Sequence, residues 1–367
     1  MSGEKNLTGW PLFHRDHSRS GFTPEDAPGQ PELLWMLQTE GRIFFASPTV
    51  VDGRCYCGSR DGFLYAVDSL CGALHWRART GDEGNLSNAV SEGRLFAGSS
   101  RDGSLRAFDA KTGSSLWQFQ TLGPVFATPL AMDGWVLIGS SDCRLYALNA
   151  QNGALIWKNR TGGELRYTSC LSGKTVCSGC SDGSLVAHGI ENGDPLWKYQ
   201  TGAAINCSPS ADSDKVYLGS DDRHLHAVSL EDGEQLWTFR TENAVRSTAA
   251  LTQNRIILTS LDGRCYCLEK YTGMLVWSYR TNDSIHSSPA VAGETVVFGS
   301  GDGYLYGLTL DAGRLRWRCR IGSPVISSPA VAGGIIYVGA EDGCIYAFGE
   351  RNQLSAKKRK KRTRENE

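Results

Sequence analysis

Eight of the ten tryptophans stand in one register: Trp35, Trp76, Trp117, Trp157, Trp197, Trp237, Trp277 and Trp317 follow one another at steps of 41, 41 and then 40 residues. A fixed period of this length marks one supersecondary unit repeated, and so small a unit buries its apolar faces only by stacking on its neighbours. A second series keeps the same step: Asp61, Asp102, Asp142, Asp182, Asp222, Asp262, Asp302 and Asp342, six of them followed by Gly. Asp-Gly accommodates the positive φ of a tight hairpin connection, so this series marks a turn in every unit. A third series precedes each later tryptophan, as in AFDAKTGSSLW and CLEKYTGMLVW, and its fixed element is the Gly before the last strand.

Between these turns the runs are short and rich in β-branched and aromatic residues, as in TVVFGS, YLYGLTL and IIYVGA, with no helical period. Each unit therefore predicts four antiparallel strands. Repeated radially, the units predict an all-β fold, a single eight-bladed β-propeller. The phase of the repeat predicts how the ring closes. The Trp35 strand precedes any complete unit, and the last unit, 326–348, lacks its tryptophan strand, so the two complete one blade and leave no open sheet edge. The expected organisation is an extended leader over 1–31, the propeller over 32–349 and a disordered basic tail over 350–367.

Length alone, 367 residues, would predict two or three domains, a prior the repeat overrides. With 40% hydrophobic and 21% charged residues, the composition is that of a soluble globular chain. No run approaches a membrane span, and MSGEKNLTGW lacks the apolar stretch of a signal peptide. A monomer in the cytoplasm, without membrane contact, is the expectation. The net charge of -1 conceals seven cations among the last eleven residues, from Lys357 to Arg364, which leaves residues 1–356 at -6. The body is no nucleic-acid surface. The tail is either a solvated, disordered end or a nuclear-import or nucleic-acid patch. The twelve cysteines are expected to be reduced. The one CxxC, Cys177 and Cys180, lacks a second pair at zinc-finger spacing and is read as two small side chains packed in a sheet.

The A-x-D/N-x-x-T-G-x-x-x-W element, nearest its ideal in Ala107, Asp109, Thr112, Gly113 and Trp117, resembles the tryptophan-docking motif of quinoprotein alcohol-dehydrogenase-like propellers. The SSPAVAG runs at Ser287 and Ser327 and the leader GWPLFHRDHSRSG at 9–21 are similar to the same PQQ-binding-like repeat family. The resemblance covers nearly all of 9–349, and neither a Trp-Asp nor a Gly-His dipeptide of the WD type is present. It implies one of two roles: a catalytic quinoprotein with PQQ and a Ca²⁺ site, or a non-catalytic scaffold such as the propeller appended to β-alanine-activating synthetases. The chain departs from the catalytic branch in its minimal blades, in having no Cys-Cys pair and in offering no assignable set of calcium ligands.

The start of each innermost strand lines the channel of a propeller, so equivalent positions form rings. Phe44, Asn85, Val125, Leu165, Ile205, Val245, Ile285 and Val325 form an expected packing ring. Ser47, Asn88, Thr128, Thr168, Ser208, Thr248, Ser288 and Ser328 are short hydrogen-bonders that can satisfy backbone groups. Between them stands a divided ring: Arg166, Asn206, Arg246 and His286 on one half, Ile326, Phe45, Leu86 and Phe126 on the other. Arginine binds carboxylates through paired hydrogen bonds, so this mouth suits a flat or elongated ligand with carboxylates on one side, a tricarboxylated quinone or an acidic peptide. The alternative is side chains packed between blades or facing water, with Glu164, Glu242 and Asp283 neutralising the cations. His224 and His226 share one strand face, read as solvated surface. Trp135 is expected inside a blade, and Trp10 as an anchor of the leader across the ring. The sequence thus predicts a non-catalytic scaffold that binds a protein, peptide or small anionic ligand. The alternatives are a PQQ-dependent oxidoreductase of reduced size and a module working with an adenylating acyl synthetase.

Overall fold

The computed structural model describes residues 9–80, 88–132 and 134–351. Eight sheets stand around a channel; seven add their strands outward in chain order, and the eighth takes its outermost strand from early in the chain. Blade 1 runs Thr49–Val51, Arg54–Gly58, Phe63–Asp68 and Leu74–Arg79. The innermost strands of blades 8 and 1 lie against one another, which closes the circle. The middle strands are covered on both faces by neighbouring blades and are buried along all or nearly all of their length, which is why they read as apolar runs. The ring closes as the repeat predicts: Glu32–Gln38 pairs antiparallel with Cys344–Gly349, placing Trp35 opposite Ala347.

Each outermost strand carries one surplus residue just before its tryptophan. In blade 2, Ser115 and Trp117 pair with Phe108 and Ala107, and Leu116 is left out as a bulge exposed to solvent. The bulge turns the indole toward the following blade. Six indoles donate to a carbonyl there, among them Trp35 to Ser69 at 3.0 Å and Trp157 to Ile190 at 2.9 Å. The six-membered ring lies on the turn glycine of that blade: a Cβ on Gly113 would stand 2.6 Å from the Trp76 ring. That glycine also holds φ at +74°, so close approach and backbone conformation both require it. Trp237 and Trp317 carry buried indole nitrogens without an acceptor.

The aspartate series does more than turn the chain. Asp61 accepts the Phe63 amide at 2.9 Å, the Tyr65 hydroxyl at 2.6 Å and, from the preceding outer strand's exit, the Glu40 amide at 3.0 Å. Tyrosine fills the same role on Asp142, Asp262, Asp302 and Asp342. In blade 5 the tyrosine is replaced by His226, whose Nε2 lies 3.0 Å from Asp222 and whose Nδ1 lies 2.9 Å from the Tyr199 hydroxyl. His226 is therefore buried between blades, and its reading as solvated surface is corrected. The reason is that its strand face turns toward blade 4. The two turns without Asp-Gly hold Cys143 and Arg223 at φ 60° and 71°.

Residues 9–25 form a second, inner circuit beneath the ring. Trp10 makes a two-way backbone bridge with Val50 at 2.7 and 2.8 Å, and the Pro11 carbonyl accepts the Val90 amide at 2.9 Å. The His17 ring meets the Ala131 carbonyl at 2.9 Å. The carbonyls of His17, Ser18, Ser20 and Gly21 then accept the amides of Leu171, Ala211, Leu251 and Val291 at 2.7–2.9 Å. Phe22–Thr23 adds a parallel strand to blade 7, and the Glu25 carboxylate accepts the Gly333 amide of blade 8. The leader thus touches blades 1 to 8 in order. Trp10 is a buried anchor of this circuit, and three non-glycine residues with positive φ, His14, Arg15 and Arg19, let it curl so tightly.

Candidate functional site: the channel mouth

With the leader beneath them, the innermost strands enclose a cup open at the opposite end. The cavity measures about 250 Å³. Phe13 of the leader forms its floor, and its wall includes Phe45, Phe126, Arg166, Arg246, His286 and Ile326, six members of the divided ring. The division survives in three dimensions, because equivalent positions on successive strands keep one height in the channel. Phe45 and His286 meet across blade 8 with ring centroids 6.1 Å apart, which narrows the opening. Asn206 is turned aside and donates to Asp221 at 2.8 Å. Leu86 and Asn85 lie outside the described residues, as does the basic run of the tail.

The cations of the mouth have carboxylate partners. Arg166 donates to Glu164 at 2.7 Å. Arg246 grips Asp221 with two hydrogen bonds at 2.8 and 3.0 Å, which pushes its ionisation upward. Asp221 thus takes the place expected of Glu242, since it sits in the turn of blade 5 that faces the start of blade 6. Burial lowers the His286 ionisation, and the neighbouring Arg246 charge lowers it further, so the imidazole is neutral at pH 7. The polar half of the mouth therefore carries hydrogen-bonding capacity with little net charge.

Two features of the cup escape single-sequence reading. Tyr167 lines it, and burial raises its phenol ionisation; the available signal is that Ala, Ser or Cys occupies this position in the other blades. The packing position of blade 1 belongs to Ile43, which is fully buried against Gly339, and not to Phe44, as expected. The extra residue of the first 41-residue step sits here, between Ile43 and Ser47. It leaves Phe44 half-buried beneath the Arg60 guanidinium, 4.6 Å from the ring centroid.

Below the mouth, the hydroxyl ring satisfies backbone groups. Ser288, Ser328 and Ser47 accept the amides of Thr248, Ser288 and Ser328 at 2.9–3.0 Å. Cys177 and Cys180 are buried in two different apolar clusters; the Cys170 contact and burial raise the Cys177 thiol, and burial raises that of Cys180. Trp135 packs against the core shared by blades 2 to 4. Among the described residues, no three of His, Cys, Asp or Glu come together as metal ligands.

A family model described as the β-propeller of beta-alanine-activating enzyme matches residues 131–364. Among curated proteins, quinohemoprotein alcohol dehydrogenase ADH-IIG of Pseudomonas putida is 29% identical over 163 residues, 38% of this chain and 23% of that protein. The 1-butanol dehydrogenase (cytochrome c) of Thauera butanivorans is 32% identical over 137 residues, 32% of this chain and 20% of that one. The matched part is thus about a fifth of those relatives' length. Among solved structures, quinohemoprotein alcohol dehydrogenase from Comamonas testosteroni superimposes with a TM-score of 0.82 at 15% identity, covering 95% of this chain and 81% of that one. BamB from Moraxella catarrhalis gives 0.74 at 19%, covering 88% and 98%. These structural likenesses carry the fold alone. The family match spans well over half of the chain, which therefore belongs to the beta-alanine-activating-enzyme β-propeller family, a branch of the quinoprotein alcohol-dehydrogenase-like propellers.

Proposed function

We propose that the chain is a non-catalytic binding propeller that works beside an amino-acid-adenylating enzyme and holds a small anionic ligand in its cup. The observation that carries this reading is the state of the cup itself. Its floor is closed by the leader, and both mouth arginines are already engaged by carboxylates. Such a site offers directed hydrogen bonds and an apolar wall, the equipment of recognition. A tricarboxylated quinone would meet arginines whose charge Glu164 and Asp221 already offset, so the mouth offers its carboxylates little net positive charge. The family's description as part of a beta-alanine-activating enzyme supports the adenylating partner.

A quinone-dependent oxidoreductase is the second reading, favoured by the sequence similarity to the quinohemoprotein dehydrogenases. One experiment separates them: tryptophan-fluorescence titration with PQQ, with and without Ca²⁺, followed by an assay of alcohol-dependent dye reduction. The expected result is no alcohol-dependent reduction under either condition. Turnover that depends on added PQQ would overturn the non-catalytic reading. Native co-purification that never yields an adenylating enzyme would remove the proposed partner. For the tail, deleting 356–367 and following localisation tests an import role, which an unchanged distribution would exclude.

A further inference from the structure

Most hydroxyls of the collar beneath the mouth are committed to the protein. Thr168 accepts a hydrogen bond from Arg19 at 2.8 Å, and Ser288 and Ser328 accept backbone amides. Ser208 and Thr248, on the adjacent blades 5 and 6, differ, as does Thr128 on blade 3, which has no such neighbour beside it. Ser208 and Thr248 are only 3% and 2% exposed and both line the cavity, yet among the described residues neither hydroxyl has a protein partner. Two such donors side by side mark the place of an acceptor supplied from outside.

Under the collar lies Arg19, 0% exposed. All three of its acceptors are uncharged oxygens: the Phe13 carbonyl at 2.7 Å, the Thr168 hydroxyl at 2.8 Å and the Ser169 carbonyl at 3.2 Å. The acid that acts on it, Asp16, spends its carboxylate on Ser18 and Ser20. Burial lowers the guanidinium ionisation to about 10, which keeps it charged at neutral pH. An enclosed cation without a carboxylate partner projects a positive potential that salt screens weakly. The rim arginines are each paired with a carboxylate and this one, among the described residues, is not, so a buried positive charge lies beneath the collar.

The ligand chemistry follows. One buried cation and two adjacent donors suit one negative charge with paired acceptor oxygens. The cavity, about 250 Å³, falls below the usual range of roughly 300–1,000 Å³ for drug-sized ligands. Its apolar wall of Phe45, Phe126 and Ile326 calls for a carbon body rather than a bare inorganic ion. We propose that the cup seats a small organic monocarboxylate head-down, its carboxylate on the Ser208 and Thr248 hydroxyls above Arg19 and its body against the apolar wall. This inference rests on the reading of the mouth as a ligand site, and it moves the recognising charge from rim to floor.

The test is calorimetric titration with benzoate and propionate, against benzamide and propionamide as neutral counterparts, on the wild type and two double variants. S208A/T248V removes the waiting donors while leaving every hydrogen bond named above in place, and R166A/R246A removes the rim cations. At least one carboxylate is expected to bind saturably and at least about tenfold tighter than its amide. That affinity should fall about tenfold or more in S208A/T248V and less than about threefold in R166A/R246A. The reverse pattern would overturn the head-down seat and leave an anion site at the rim. Saturable binding of neither acid would overturn this inference. If PQQ also failed to bind, the reading of the mouth as a ligand site would fall with it.

Discussion

At the residue scale, the departures from the repeat matter as much as the repeat. Cys143 and Arg223 stand where six other blades place glycine, and both adopt the left-handed conformation that side chains resist. C143G and R223G should each stabilise the protein by about 1 kcal/mol, read as a rise in urea midpoint; an unchanged or lower midpoint would show that the side chains compensate. His14 is a second departure. Its Nδ1 bonds the Arg19 carbonyl at 2.9 Å, its Nε2 is buried without a partner, and burial lowers its ionisation from 6.5 to about 4. The unfolded chain therefore takes up this proton first. The stability His14 contributes is fully present above its unfolded value and is lost as pH falls from about 7 toward 4, an effect of about 3 kcal/mol. H14Q should flatten that acid limb in urea midpoints taken at several pH values. These positions lay within sight of the sequence, but their environments did not, because burial depends on which blade faces them.

At the element scale, the outer strand, its bulge and its indole form one device that fastens each blade to the next. Trp35 is the member on which closure depends: its strand completes blade 8, and its indole docks on Ser69 of blade 1. Trp317 lacks an acceptor for its indole nitrogen. W35A should cost about 3–5 kcal/mol, and W317A measurably less. Equal losses in denaturant unfolding would show that ring closure adds nothing to the docking energy. The device was legible in the sequence because indole, glycine and aspartate recur at one spacing. The alignment in blade 1 was not, because a single inserted residue can sit at any of several places until packing selects Ile43.

At the scale of the whole molecule, the ring is closed twice, once by the Trp35 strand and once by the leader that touches every blade. Removing 1–27 would release the backbone bonds to Val50, Val90, Leu171, Ala211, Leu251 and Val291 and strip the floor from the cup. The shortened chain should lose on the order of several kcal/mol, from net contributions of about 1 kcal/mol per hydrogen bond and the exposed Trp10 and Leu12 surface. A thermal melt that matches the full chain would show that the leader only rests on the ring. The same deletion should abolish carboxylate binding.

The sequence by itself determined the blade count, the strand order and the closing partner, because each depends on a local period that every unit repeats. Tertiary structure alone decided the rest: the leader's course, the pairing of Arg246 with Asp221, and the burial of His226 and of Arg19. These depend on contacts between residues 25 to 308 positions apart. No local spacing encodes such distances, which are set only when eight separately specified sheets meet around one axis.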